Sequence, residues 1–361
     1  MRERPLDEAP NLTPAAAVAT PPAQTKLRQA LAWLGPDFTL FLMFAAVLTT
    51  VGRIFGAHYE LKLSTMLLPG IVAPCIIFVR SFSRFSGVVN DRPGARAEWV
   101  RMSLTMLRSW VPLVLVAIVF DNLENYTGLV RKLTIDKSLY DIDVAIFGVE
   151  PTVWIQQYYR PLLTDWMATC YGAFLIIPMI LGIILCLRDR SDDFREIALA
   201  VMLQMWLAFF IFICFPAGPP RYYEPLRSTV FAHPIPSLLG FNNALQAKWD
   251  TYSPLLVRAS FPSLHCAYGL MTLIYSWRFG QYVFPKSPKL KRLWFLMVLP
   301  FELTLFVSVV YLRHHWIPDM VCGLTVAFVV SRITPVLRRN WPKIVRRGGA
   351  GSARPQLVAV E

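Results

Sequence analysis

Apolar residues in this chain come in blocks about as long as a bilayer is thick, and that spacing constrains the fold more than any other feature. Runs of roughly 20 residues with few charges lie near 38–56, 63–80, 103–120, 166–187, 196–215, 263–284, 292–312 and 316–335. The pattern predicts an all-α polytopic membrane bundle of about eight transmembrane helices. Several runs contain proline (Pro69, Pro74, Pro112, Pro178, Pro300), which membrane helices tolerate when neighbours re-satisfy the freed carbonyls. At 55% hydrophobic and 16% charged, the chain is too apolar for a soluble protein of 361 residues.

Charge orients the bundle. Lys and Arg number 24 on the side that carries the N-tail, the 80–102 loop and the C-tail, against 11 on the other. The positive-inside rule then puts both termini in the cytoplasm, as an even number of spans requires. The net charge of +13 is accounted for by this topology. No recognition motif accompanies it, so nucleic acid is not an expected partner. The six cysteines all fall in or beside apolar runs and form no CxxC, so they read as packing residues.

Residues 1–36, rich in Ala, Pro and Thr, read as a disordered tail leading into a short basic amphipathic piece near Lys26 to Trp33. A charged, Pro-rich stretch stands where a cleavable signal peptide would have its apolar core. Residues 37–99 hold two extra N-terminal spans, 100–336 a catalytic membrane core of six helices, and 337–361 a basic cytoplasmic tail. Two outward segments are long. The segment 121–165 is too charged to span, and its aromatic residues (Trp154, Tyr158, Tyr159) suit helices lying in the headgroup layer. The segment 216–262 opens Pro216-Ala217-Gly218-Pro219-Pro220-Arg221-Tyr222-Tyr223, a stiff turn.

The topology gathers chemistry on the outer face. The fifth run delivers Arg221 there, the sixth starts with Ser263 and His265, and the eighth starts with His315 and Asp319. Positions i and i+4 share a helix face, so Asp319 lies one turn deeper than His315. A histidine held by a carboxylate keeps one tautomer and remains a good base or nucleophile. A second histidine opposite it can protonate a leaving group. An arginine matches a phosphate with forked hydrogen bonds. The start of the sixth helix offers free N–H groups to an anion. Such a set suits phosphoryl transfer from a lipid whose headgroup lies at that depth, with no cofactor required. Asp121, Asn122, Glu124 and Asn125, at the outer end of the third run, either bind a polar headgroup or form a solvated helix end.

Two motifs resemble a known family. Phe261-Pro262-Ser263-Leu264-His265 resembles the PSGH signature of the type 2 phosphatidic acid phosphatase superfamily. The stretch from Ser308 to Asp319, with Arg313-His314-His315-Trp316 inside it, is similar to the family's third signature, SRxxxxxHxxxD. The double histidine, the PSLH form and the upstream Pro-Pro-Arg-Tyr-Tyr resemble the branch of inositol phosphorylceramide synthases. The resemblance implies that His315 attacks phosphorus to form a phosphohistidine, that Asp319 orients it, and that His265 protonates the leaving alkoxide and then deprotonates the acceptor. It implies phosphate-binding roles for Arg221 and Ser263. Two clamps of the family pattern are missing, since Val309 and Cys214 stand where it has arginine and lysine. Arg313 is the candidate replacement, and His314 is a neighbour that faces away.

The expected function is a lipid phosphotransferase that moves a phosphorylated headgroup, with inositol phosphate the candidate, from a lipid donor to a hydroxyl acceptor. Hydrolysis of a lipid phosphate or polyprenyl diphosphate by the same residues is the alternative. A zinc site of His265, His314, His315 and Asp319 is disfavoured, because adjacent histidines on a helix diverge by about 100°. A lipid transporter should carry its polar groups near the midplane; here they gather at one surface. The short loops and the lack of a recognisable eukaryotic sorting signal suggest a bacterial cytoplasmic membrane, with the site on its non-cytoplasmic face.

Overall fold

In hydrocarbon every backbone N–H and C=O must be satisfied within its own segment, so apolar runs of this length fold as helices. A computed structural model describes residues 26–56, 131–188, 190–231, 233–250, 258–285 and 290–347, with isolated positions 100, 104, 108, 110, 111, 126 and 127. Among the described residues the fold is all-helical and holds no strand. We label the longer helices α1 (Lys26–Phe55), α2 (Asp136–Phe147), α3 (Pro161–Gly172), α4 (Ile176–Leu187), α5 (Ser191–Cys214), α6 (Phe241–Asp250), α7 (Leu264–Phe279), α8 (Leu293–Tyr311) and α9 (Ile317–Arg347).

Four of these, α1, α5, α8 and α9, are long and apolar enough to cross a membrane, and α3 with α4 adds a fifth if the pair is one span broken by a 43° bend. That differs from the eight runs of the sequence reading for two reasons. The runs 63–80 and 103–120 lie outside the described residues, save isolated positions. The run 263–284 becomes the 16-residue α7 followed by a 3-10 turn at Gly280–Tyr282. At 1.5 Å per residue α7 is about 24 Å long, short of a hydrocarbon core of about 30 Å. Both ends of the chain depart from the expected boundaries too. α1 already begins at Lys26 and kinks at Gly35, where φ is 75°, and α9 runs on to Arg347.

α7 packs against α4, α5, α8 and α9. Lipid-facing helices gain little hydrophobic energy from one another, so close approach and hydrogen bonds must hold them. Two glycines provide the approach. A Cβ at Gly269 would lie 2.7 Å from Phe306 and 2.9 Å from the Glu302 carboxyl, so the missing side chain seats α8 on α7. A Cβ at Gly323 would lie 2.2 Å from the Ser263 carbonyl oxygen, so α9 can touch the backbone at the start of α7 only because residue 323 has no side chain.

The segments between the long helices fold over this core. α2 turns Leu139 and Asp143 inward, while Ile142, Ile146 and Phe147 stay exposed, as an amphipathic helix at an apolar boundary would. The 216–262 segment is laced to itself: Ala217 N–H donates to Arg258 O at 3.0 Å and Ser260 N–H to Ala217 O at 2.8 Å. Asp165 of α3 caps the approach to α6, accepting from the backbone N–H groups of Leu238, Leu239 and Phe241.

Candidate active site

The loop between α8 and α9 is a helix stop of unusual composition. His314 N–H donates to Val309 O at 2.9 Å and Arg313 N–H to Val310 O at 3.0 Å, the paired bonds of a Schellman cap. The cap needs a left-handed residue, usually glycine, and here Arg313 fills it with φ 63°. Val309 is fully buried, and its carbonyl also accepts the His315 N–H at 3.0 Å.

His315 is held from one side by a polar clasp. Its Nδ1 lies 3.2 Å from Asp319 Oδ2 and 3.1 Å from Ser260 Oγ. The Ser260 hydroxyl donates to the same Asp319 oxygen at 2.5 Å, and Trp316 N–H donates to it at 3.2 Å. Ser260 gives its one hydroxyl proton to Asp319, so both oxygens beside Nδ1 are acceptors toward it; this assigns the His315 proton to Nδ1 and leaves the Nε2 lone pair pointing away. There Nε2 meets His265 Nδ1 at 3.4 Å. His315 is 5% exposed and Asp319 is fully buried, so the pair works in a low dielectric.

His265 is held differently. It follows Ser263, the N-cap of α7, whose Oγ accepts from Cys266 N–H at 3.3 Å. Its ring stacks on Tyr171 at 4.0 Å between centroids and packs on Phe174 at 4.2 Å. Its buried Nε2 has no hydrogen-bond partner among the described residues. The two helix starts are tied by Ser263 N–H donating to Asp319 O at 2.9 Å.

The structure therefore brings His315, Asp319, His265 and Ser263 together. Arg221 joins them through its backbone, donating N–H to Arg313 O at 3.2 Å, while its guanidinium lies 4.4 Å from the Tyr222 ring centroid. Arg313 sends its guanidinium elsewhere: Nε donates to Tyr159 Oη at 3.2 Å, Nη1 to His233 O at 3.1 Å and Nη2 to Gln156 at 3.3 Å, over the Phe231 ring. His314 stacks on Tyr171 at 4.5 Å. Burial, reinforced by the nearby Arg221 charge, pushes its imidazole well below the ordinary range and keeps it neutral. Asp121, Asn122, Glu124 and Asn125 lie outside the described residues.

Three residues at this site escaped the sequence. Ser260 stands two positions before the Pro262-Ser263 motif, with nothing but that proximity to mark it. Tyr171 sits in an apolar run where an aromatic is ordinary. Asp143 is fully buried on α2, where the sequence shows only a charged helix, and it accepts the Ile317 N–H at 3.2 Å. Among the described residues no group of three or more His, Cys, Asp or Glu side chains is arranged to hold a metal.

A family model described as the PAP2 superfamily matches residues 137–333, more than half of the chain and every residue of this site. No curated protein and no solved structure matches the chain.

Proposed function

Because the chain belongs to the PAP2 superfamily, whose members are phosphatases or phosphotransferases, we propose that it is a membrane phosphotransferase that moves a phosphorylated headgroup from a lipid donor to a hydroxyl acceptor. The observation that carries the reading is the His315 imidazole, with Nδ1 clasped by Asp319 and Ser260 and Nε2 directed at His265 Nδ1.

In the first half-reaction the Nε2 lone pair of His315 attacks phosphorus. The bond from phosphorus to the donor's ester oxygen breaks, and His265 Nδ1–H gives its proton to the departing alkoxide. In the second half His265 takes the proton of the acceptor hydroxyl. That oxygen attacks the phosphohistidine, and the P–N bond breaks. Asp319 and Ser260 stabilise the positive charge that His315 gains on phosphorylation. Arg221 and Ser263 supply donors for phosphate oxygens. An N···N gap of 3.4 Å has no room for a phosphoryl group bonded to one nitrogen and hydrogen-bonded through oxygen to the other. One ring must yield, and His265, with Nε2 unpartnered, is the freer of the two.

Transfer is favoured over hydrolysis by the loss of two phosphate clamps, Val309 being buried in the core and Cys214 standing at the exposed end of α5. Inositol phosphate is the headgroup that the branch resemblance suggests. The site lies on the non-cytoplasmic face, in a bacterial cytoplasmic membrane, and residues 100–336 form the catalytic unit. The test is to incubate membranes containing the protein with radiolabelled phosphatidylinositol or phosphatidic acid. Label in a new lipid supports transfer, and free phosphate supports the hydrolase instead. Turnover that survives His315→Ala overturns the site.

A further inference from the structure

Asp143 is a buried carboxyl that the steps above do not use. It sits on α2, the amphipathic outer helix, and none of its surface is exposed. Its Oδ2 accepts the N–H of Ile317, the first residue of α9, at 3.2 Å, while its buried Oδ1 has no partner among the described residues. Ile317 lies midway between His315 and Asp319. The ionisable groups that face Asp143 are Glu150, at the start of the short helix Pro151–Trp154, and Asp319 itself. Among the described residues no basic side chain is paired with it. A carboxylate here would thus be a buried negative charge next to two others, with one N–H to satisfy it.

We propose that Asp143 is a positioning residue for phosphoryl transfer, a buried acid on α2 that clasps the start of α9 between His315 and Asp319. Burial, with smaller contributions from Glu150 and Asp319, pushes its carboxyl up to about 7, against the opposing pull of the Ile317 N–H. The pKa is raised on folding, so the stabilisation is complete at acid pH and is lost as pH rises through about 7. Above that point the new charge lies beside the Asp319 carboxyl and alters the field in which His315 is set. It also strains the contact between α2 and α9. The inference rests on reading His315 and Asp319 as the catalytic pair.

The experiment compares wild type, Asp143→Asn, Asp143→Ala and His315→Ala, purified in detergent. Two quantities are followed against pH: turnover of radiolabelled phosphatidylinositol or phosphatidic acid, and the ring-nitrogen NMR shifts of His315, assigned by their loss in His315→Ala. Asparagine keeps an acceptor for Ile317 but cannot ionise. Wild-type turnover is expected to fall above pH about 7 and the His315 shifts to inflect there. Asp143→Asn should hold its plateau to higher pH and lose the inflection, whereas Asp143→Ala should be slower at every pH. An Asp143→Asn profile and inflection that match wild type would overturn the inference while an inactive His315→Ala leaves the catalytic reading standing. Turnover surviving in His315→Ala would instead sink that reading. If neither lipid is turned over, the NMR inflection alone decides.

Discussion

α7 and α9 begin within one hydrogen bond of each other, yet the histidine at each start is held by opposite means. At α9, His315 is fixed through Nδ1 by a serine and a carboxylate that themselves accept or donate further bonds. At α7, His265 lies against Tyr171 and Phe174, and its far nitrogen bonds to nothing among the described residues. Polar clasping fixes a tautomer and a direction, which a nucleophile needs. Aromatic packing fixes a plane but lets the ring slide and trade protons, which suits a group that must give one and later take one. In the proposed reaction the same residue type thus takes two roles from its surroundings.

The sharpest way to break this contrast is to remove each histidine in turn and trap the phosphoenzyme. His315→Ala should abolish both turnover and covalent labelling of the protein. His265→Ala should lose about 10²- to 10⁴-fold in turnover of natural lipid donors, the usual range for a lost proton transfer. With a nitrophenyl ester as donor, whose leaving group needs no proton, His265→Ala should still form the phosphohistidine and then stall. Acid-labile label on His265 rather than His315 would reverse the assignment.

The next effect probes the clasp. Ser260→Ala leaves the Asp319 oxygen with one donor fewer and His315 with one contact fewer. A hydrogen bond to a buried charged group contributes about 1.5–3 kcal/mol, part of which the remaining donors recover. Turnover should drop about tenfold, near 1.4 kcal/mol in the barrier. Phosphohistidine should still form, only more slowly, in single-turnover labelling. Wild-type kinetics in this variant would mean that Asp319 alone orients the nucleophile.

Ser260 also marks the limit of what the sequence could disclose. Apolar run length gave the helices, and order and spacing of short motifs brought His265, His315 and Asp319 to one surface, because helix ends are fixed by topology. What those signals could not reveal depends on how irregular backbone folds back. Ser260 reaches the site because its N–H pairs with Ala217 across more than forty residues of outer segment. Asp143 reaches it because α2 lies against α9. The short α7 was also hidden: its apolar run continues past Phe279, and only the 3-10 turn at Gly280–Tyr282 ends the α-helix. Arg313 was legible as a charge beside the histidines, but not the direction of its side chain.

Arg313 supplies the smallest and most discriminating test, because two terms oppose. Its left-handed backbone costs about 1–2 kcal/mol, which glycine would relieve. Its side chain returns three hydrogen bonds and a contact 4.4 Å from the Phe231 centroid, each interaction adding about 0.5–1.5 kcal/mol. Taking the middle of these ranges, Arg313→Gly should therefore lose about 2–3 kcal/mol of stability, and Arg313→Ala, which keeps the strain and loses the contacts, about 1 kcal/mol more. The ordering glycine above alanine in thermal melts is the signature of an anchor on a strained cap. For an anchor, both variants lower kcat as His315 loosens and leave KM for the donor nearly unchanged. For a phosphate clamp, as the motif comparison suggested, KM rises steeply in both. The guanidinium's grip on Tyr159, Gln156 and His233 favours the first outcome, and would make the left-handed arginine the pin that tells His315 which way to face.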